Sequence, residues 1–325
     1  MAQALPLLEI KNLTVEYITH AGTIRALDRI SLKVNRSEFL GIVGESGSGK
    51  STLAYATIGL LPQNSRITSG SITFDGIDLL KAPSKEITSL RGRRISMVFQ
   101  DPMTSLNPVF KIEEQICRVI QQHKVVNRQA AKAIALEHLA HVELPEANRI
   151  LELYPFELSG GMQQRVMIAM ALSLSPDLVI ADEPTSAVDA TIQFQILELL
   201  SRLRQSQNFS MLFITHNLDI VSQVCDRVAV MYAGRVVEEG SSHDVFSDPK
   251  HPYTQALMKS IPRPRKSITE SKRLSVIEGS IPDLLFPPKG CKFHPRCPYA
   301  FDKCKQEEPE LKEVKEGRKV ACYLY

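Results

Sequence analysis

Residues 44–51 read GESGSGKS, a glycine-rich loop closing on a lysine and a serine. That order of residue types suits the holding of a phosphate chain. Gly44, Gly47 and Gly49 let successive backbone N–H groups curl round an anion with no side chain in the way. Lys50 can reach β- and γ-phosphates, and the Ser51 hydroxyl can ligate Mg2+. Glu45, Ser46, Ser48 and Thr52 complete the candidate nucleotide contacts. A flexible glycine-rich turn would share the composition. The context argues otherwise: an apolar run, FLGIV at 39–43, precedes the loop, and a helix that would aim its positive dipole end at the anion follows it.

A second chemical element lies at 178–183, LVIADE, a hydrophobic strand ending in two carboxylates. Asp182 is placed to hold Mg2+ through water and Glu183 to polarise an attacking water as general base. Such a pair alone could be a solvated turn; downstream of a phosphate loop it reads as hydrolytic machinery. A third element is LSGGMQQR at 158–165. Ser159, Gly160 and Gly161 open a helix, so their N–H groups and the dipole make a second anion site.

With these residues the chain resembles the ABC ATPase family, whose signature is LSGGQ-like; Met162 stands where the commonest form has Gln. The resemblance spans roughly residues 7 to 245. It implies that the 159–161 site meets the γ-phosphate held by a partner's phosphate loop, with two ATP molecules joining a head-to-tail dimer. It also implies that Gln100 is the Q-loop glutamine, a Mg2+ and water sensor, and that Asp189, closing SAVD at 186–189, belongs to the D-loop at the dimer interface. His216 matches the switch histidine that contacts the γ-phosphate, and Tyr17 is the candidate for stacking on adenine. With Glu183 and His216 both present, the family pattern implies ATP hydrolysis.

Beyond that core, HPYTQAL at 251–257 and GCKFHPRC at 290–297 look like the C-terminal extension of oligopeptide/dipeptide importer ATP-binding subunits, and RISMVFQDPMTSLNP at 94–108 is similar to the same group. The implied partners are two transmembrane permease subunits docking beside Gln100 and a second ATPase subunit, identical or paralogous. An extracytoplasmic peptide-binding protein would be reached only indirectly. The implied place is the cytoplasmic face of the membrane, peripherally. A nickel or other solute importer is the neighbouring alternative. A soluble ABC ATPase outside transport is a more distant one, since neither a second cassette nor a coiled-coil insertion is visible.

Six cysteines are present. Cys117 and Cys225 sit singly in helix-like segments and read as small buried apolar residues. Cys291, Cys297, Cys304 and Cys322 crowd a stretch with little periodic apolar content, where a metal centre would supply missing stability. Four thiolates suit tetrahedral zinc or a [4Fe–4S] cluster, free thiols being the third reading, and His294 is read as a loop residue. The spacing lacks C-x2-C knuckles, and the importer resemblance implies the iron–sulfur cluster.

The elements that must position these residues follow from periodicity. Strand-like runs at 8–17, 30–34 and 39–43 open the chain; 89–174 is largely helical, notably 112–126 and 128–142, with a strand at 95–99. Strands return at 178–181, 211–215 and 228–231, with an amphipathic helix carrying Ile192, Ile196, Leu199, Leu200 and Leu203 between the first two. The expected fold is α/β: an ABC ATPase core with a mostly parallel sheet, an antiparallel β subdomain, a helical insertion, and a small irregular cysteine-rich C-terminal domain. The expected boundaries are 1–260 for the nucleotide-binding domain, with a helical subdomain at about 89–175, and 261–325 for the extension.

Composition is consistent with a globular chain of 325 residues, 43% hydrophobic and 23% charged. A net charge of only +3 argues against a dedicated nucleic-acid binder. No apolar run reaches bilayer length, the nearest (166–181) being broken by Pro176 and Asp177, and residues 1–10 lack a signal-peptide pattern. A cytoplasmic chain that acts on membranes through partners is expected.

Overall fold

The computed structural model describes residues 5–186, 188–260 and 277–325. The chain folds into two compact units. One comprises the residues up to Leu8, Val34–Phe39 and Thr73–Ile214, and the other Glu9–Lys33, Leu40–Ile72 and Thr215–Tyr325.

In the first unit, strands Ile95–Val98, Leu178–Asp182 and Ser210–Thr215 pair in parallel, with Ile95 opposite Leu178 and Leu178 opposite Ser210. All five residues of Leu178–Asp182 are buried, which explains why that strand is a continuous apolar run instead of an alternating one. Truncating Ile180, 0% exposed, to Ala would cost about 2–5 kcal/mol. The ladder carries Asp182 and Glu183 to a strand end as a rigid pair.

The predicted helical segment is built from Ile112–His123, Arg128–His141, Ala147–Glu152 and Gly160–Leu172, with shorter pieces. The helix expected over 112–126 stops at His123, Lys124 already being extended (φ −120°, ψ 134°). Asn127 then starts the next helix as its N-cap, accepting from the Ala130 N–H at 2.9 Å. Glu113 receives Lys132 at 2.6 Å and Arg128 at 2.9 Å, cross-linking the two helices, and these cations hold its carboxyl below the usual range. Helix Ala190–Gln207 buries Ile196, Leu197, Leu199, Leu200 and Leu203, the predicted face apart from half-buried Ile192.

In the second unit, Phe39–Val43 pairs in parallel with Arg227–Tyr232, Val43 lying opposite Val230. A tight turn at Ala233–Gly234 (φ 47° and 80°) then sends Arg235–Ser241 back antiparallel. Strands Leu8–Thr19, Gly22–Val34 and Ser65–Phe74 supply the expected antiparallel character, the first lying between the other two.

The extension differs from the expected small separate domain. Its strand Arg318–Val320 pairs antiparallel with Arg235–Ser241 and with Lys312–Lys315, so it continues the sheet of the second unit. Arg318, 4% exposed, donates to Glu238 at 2.5 Å and to the Asp248 carbonyl at 2.8 Å, and Glu238 also accepts the N–H groups of Lys250 and His251. Edge pairing and a buried ion pair therefore hold a segment too polar to form its own core. Residues 261–276, where the extension was expected to begin, lie outside the described residues.

Candidate ATP site

Strand Phe39–Val43 delivers the phosphate loop to helix Lys50–Ile58. At Gly44 a Cβ would lie 2.2 Å from the Met231 carbonyl oxygen, so any side chain is excluded by backbone. Gly49, the residue before the helix, has φ 100°, and a Cβ there would meet the Ala26 carbonyl at 2.6 Å. Lys50 is 5% exposed and bends its ammonium onto the carbonyls of Gly44 (2.9 Å) and Glu45 (3.0 Å). Ser48 is buried, whereas Ser46 and Gly47 are exposed, and the Gly47 position opens on free space. Ser51 sits in the first turn of the helix, where its hydroxyl suits a Mg2+ ligand. Tyr17, half-buried in its strand, exchanges a hydrogen bond with Thr52 at 3.2 Å, which ties the adenine candidate to the loop's helix.

Glu45 is held more elaborately than its motif position predicts. Its N–H donates to the Tyr253 hydroxyl at 2.8 Å. Its carboxylate takes both arms of Arg296, at 2.8 and 3.1 Å. His216, just past strand Ser210–Thr215, is exposed and belongs to this same unit.

The first unit holds the acidic residues. Asp182 is 1% exposed at the end of its strand. Glu183 adopts φ 46°, the left-handed region that a non-glycine residue occupies only when its surroundings enforce it. Here the Glu183 N–H donates to the Ile214 carbonyl (2.8 Å), while its carbonyl accepts Ser186 N–H (3.1 Å) and Oγ (3.0 Å). The side chain is thereby aimed at Gln100, whose Nε2 donates to Glu183 Oε2 at 3.1 Å. The glutamine and the carboxylate, predicted from separate motifs, thus meet directly.

Ser159 caps helix Gly160–Leu172, accepting the Met162 N–H at 3.4 Å, and both Ser159 and Gly160 are exposed. A Cβ on Gly161 would come 2.8 Å from Ile192 Cγ2, so the helix start packs too closely for a larger residue. The start of this helix, where a second anion site is expected, therefore presents Ser159 and Gly160 to solvent. Asp189 takes a role the sequence did not reveal: it caps helix Ala190–Gln207, its Oδ1 accepting from Thr191 and Ile192 at 3.0 Å each. Ala187 of that segment lies outside the described residues.

Cys117 and Cys225 are buried as expected, 3% and 7% exposed. Cys291, Cys297, Cys304 and Cys322 are all free thiols lining one cavity, with Phe293, Tyr323 and His294 among its other walls. Burial pushes the thiol of Cys291 up to about 11 and raises those of Cys297 and Cys322, the neighbouring thiols adding to the rise. The expected metal centre is not formed as such: among the described residues no three His, Cys, Asp or Glu side chains stand close enough to hold a metal ion. The donor set is convergent but not closed to ligating distance. His294, expected in a loop, instead opens the short 3-10 helix His294–Arg296, its Nδ1 bonded to the Cys291 carbonyl at 2.9 Å.

Tyr253 and Arg296 are the partners that motif reading missed. Arg296 stands within the quoted GCKFHPRC run and Tyr253 within HPYTQAL, but nothing in those runs pointed to the phosphate loop. Among the described residues no helix is long and apolar enough to cross a membrane.

Residues 27–186 match the family described as ABC transporter, and residues 237–304 match the oligopeptide/dipeptide transporter C-terminal region. The chain is 46% identical to the oligopeptide transport ATP-binding protein OppD of Escherichia coli (strain K12), over 99% of this chain and 94% of that one. It is 44% identical to the dipeptide transport ATP-binding protein DppD of the same organism, over 98% and 96%. An ATP-binding cassette solved as a dimer in a post-hydrolysis state with ADP and Pi is similar at TM-score 0.65 and 30% identity, covering 72% of this chain and 98% of that one. With the phosphate loop, the Gln100–Glu183 pair and the capped 159–161 helix start in place, these likenesses make the chain an ATP-hydrolysing member of the ABC-transporter ATP-binding subunits, in the family that carries the oligopeptide/dipeptide transporter C-terminal region.

Proposed function

We propose that this chain binds and hydrolyses ATP to power import of di- and oligopeptides across a membrane. The observation that carries the reading is the Gln100–Glu183 contact, 3.1 Å between a glutamine two residues past its strand and a carboxylate whose backbone sits in the left-handed region. A carboxylate fixed in this way suits a general base. Glu183 takes a proton from water as the water oxygen bonds to the γ-phosphorus, and the bond to the β–γ bridging oxygen breaks to leave ADP. Loop N–H groups and Lys50 hold the phosphates, Tyr17 receives the adenine, and His216 takes the γ-phosphate. Ser51, Gln100 and Asp182 would hold Mg2+, which would supply charge neutralisation at the phosphates. Ser159 and Gly160, exposed at their helix start, and half-buried Gly161 behind them are offered to ATP on a second ATPase subunit, with Asp189 near that interface.

The peptide substrate rests on the relatives named for oligopeptide and dipeptide transport, which match nearly the whole chain, extension included. Two transmembrane permease subunits, docked beside Gln100 at the cytoplasmic face, and an extracytoplasmic peptide-binding protein complete the proposed machine. Residues 1–260 would then be the nucleotide-binding domain and 261–325 its extension. The four thiols converging on one cavity support an iron–sulfur cluster held by Cys291, Cys297, Cys304 and Cys322. Such a cluster would add a cross-link within a segment already held by a short strand, ion pairs and the packing of Phe293.

The deciding experiment is an anaerobic, gentle-detergent pull-down of the tagged chain from its native membranes, followed by peptide-stimulated ATPase assay of what is recovered. Co-purification of multi-span permeases with peptide-dependent turnover is expected. Recovery of soluble partners alone would overturn the transport reading and leave the ATPase chemistry standing.

A further inference from the structure

The phosphate loop works only if its backbone N–H groups are already aimed when the anion arrives, because orienting them on binding would subtract from affinity. Glu45 is where this chain fixes the loop, and it does so at three points. The N–H is bound by Tyr253 Oη (2.8 Å), the carbonyl by Lys50 Nζ (3.0 Å), and the carboxylate by the fork of Arg296 (2.8 and 3.1 Å). Two of these three anchors come from outside every ATPase motif.

Arg296 is itself firmly seated. Its side chain is 5% exposed. Nε donates to the Glu278 carbonyl at 3.0 Å and Nη2 to the Ile277 carbonyl at 3.3 Å, while Nη1 lies 3.4 Å from the Tyr232 hydroxyl. Beneath it Phe293, 2% exposed, stands edge-on to Tyr232 (5.2 Å between ring centres) and tilted against Tyr253 (5.4 Å). Tyr232 ends the strand whose Met231 carbonyl walls Gly44. One aromatic cluster therefore backs both anchors, and a fully paired guanidinium leaves Arg296 no alternative arrangement of comparable energy.

We infer that Arg296 and Tyr253 are positioning residues for ATP binding: the loop 291–297 and the helix Pro252–Ser260 brace Glu45, and through it the first turn of the phosphate loop. The brace rests on the reading of residues 44–51 as the ATP site. Neither residue touches the nucleotide; each acts by holding Glu45 still. The extension thereby becomes part of the ATP site's machinery as well as an attachment to the sheet.

The test uses the full chain and a fluorescent N-methylanthraniloyl-ATP, since the chain contains no Trp. Dissociation constants are measured for Tyr253→Phe, Arg296→Lys, Arg296→Ala, Glu45→Ala and the Arg296→Ala/Glu45→Ala pair, with Lys50→Ala as control. Tyr253→Phe removes one hydroxyl and keeps the ring, so about a 3- to 10-fold loss of affinity is expected with the nucleotide-free melting temperature nearly unchanged. Arg296→Ala should lose roughly tenfold or more, Arg296→Lys should recover part of it, and the double variant should be no worse than Arg296→Ala alone. Wild-type affinity in both Tyr253→Phe and Arg296→Lys, with Lys50→Ala still losing ATP, would overturn the brace and spare the phosphate loop. Additive losses in the double variant would overturn it too. Undiminished affinity in Lys50→Ala would instead bring down the assignment of the loop, and the brace with it. Should Arg296→Ala fail to fold, Tyr253→Phe and Arg296→Lys carry the decision.

Discussion

His251 makes the stability of this chain acid-sensitive in a window that can be calculated. It is 1% exposed, and burial lowers its pKa from 6.5 to about 3. Its Nδ1 accepts the Tyr253 N–H at 3.0 Å, the bond an N-cap side chain makes to the start of helix Pro252–Ser260. A proton on that nitrogen would abolish the acceptor and place a charge among apolar walls. The folded-state pKa is depressed, so between pH 6.5 and 3 the unfolded chain binds a proton that the folded chain does not. Stability is therefore fully present above about pH 6.5 and falls as pH drops through the window. For one such group the loss is under ~0.1 kcal/mol at pH 7.5 and ~1.4 kcal/mol at pH 5.5, or about 2 °C in melting temperature for a chain of this size. His251→Asn keeps a cap acceptor and removes the titration. Melting curves for wild type and variant at both pH values, with dye or circular dichroism as readout, isolate the effect, because the other seven histidines cancel in the difference. The variant should lose about 2 °C less than wild type on acidification. An equal loss in both proteins would refute the assignment of this acid sensitivity to His251.

Glu183→Gln preserves the contact with Gln100 in shape and removes the base. Turnover should fall by about two orders of magnitude or more with ATP binding retained, and phosphate release at wild-type rate would sink the role. Arg318→Ala strands Glu238, whose side chain is 0% exposed. A loss of about 3–5 kcal/mol is expected in denaturant unfolding, and a change under about 1 kcal/mol would show that the pair is dispensable. Anaerobically purified protein should contain iron and acid-labile sulfide that disappear in Cys297→Ser; identical metal content in the two proteins would remove the cluster. Gly44→Ala, whose new methyl would meet the Met231 carbonyl at 2.2 Å, should disrupt the loop and nucleotide binding together, which a dye-nucleotide titration reads directly.

Local chemistry accounts for how much of this was legible. Apolar runs such as Phe39–Val43 and Leu178–Asp182 became buried parallel strands, because a strand covered on both faces has no use for alternation. Ser159 announced its helix start through a cap that reaches only three residues. The attachment of the extension was not legible for the complementary reason: its polar composition announces no core of its own, and nothing local shows that residues 318–320 join an existing sheet edge or that Arg318 finds Glu238, 80 positions away.

The sequence by itself determined the ATP chemistry: phosphate-loop glycines, a lysine, an acidic pair and a second helix start are each spelled out within a few residues, since each depends on backbone geometry that neighbouring residue types dictate. Only the tertiary structure decided how those pieces are held. Gln100 meets Glu183 across 83 positions and Arg296 grips Glu45 across 251. Side-chain partners that far apart are chosen by the packing of strands and aromatic rings between them, which no local pattern encodes.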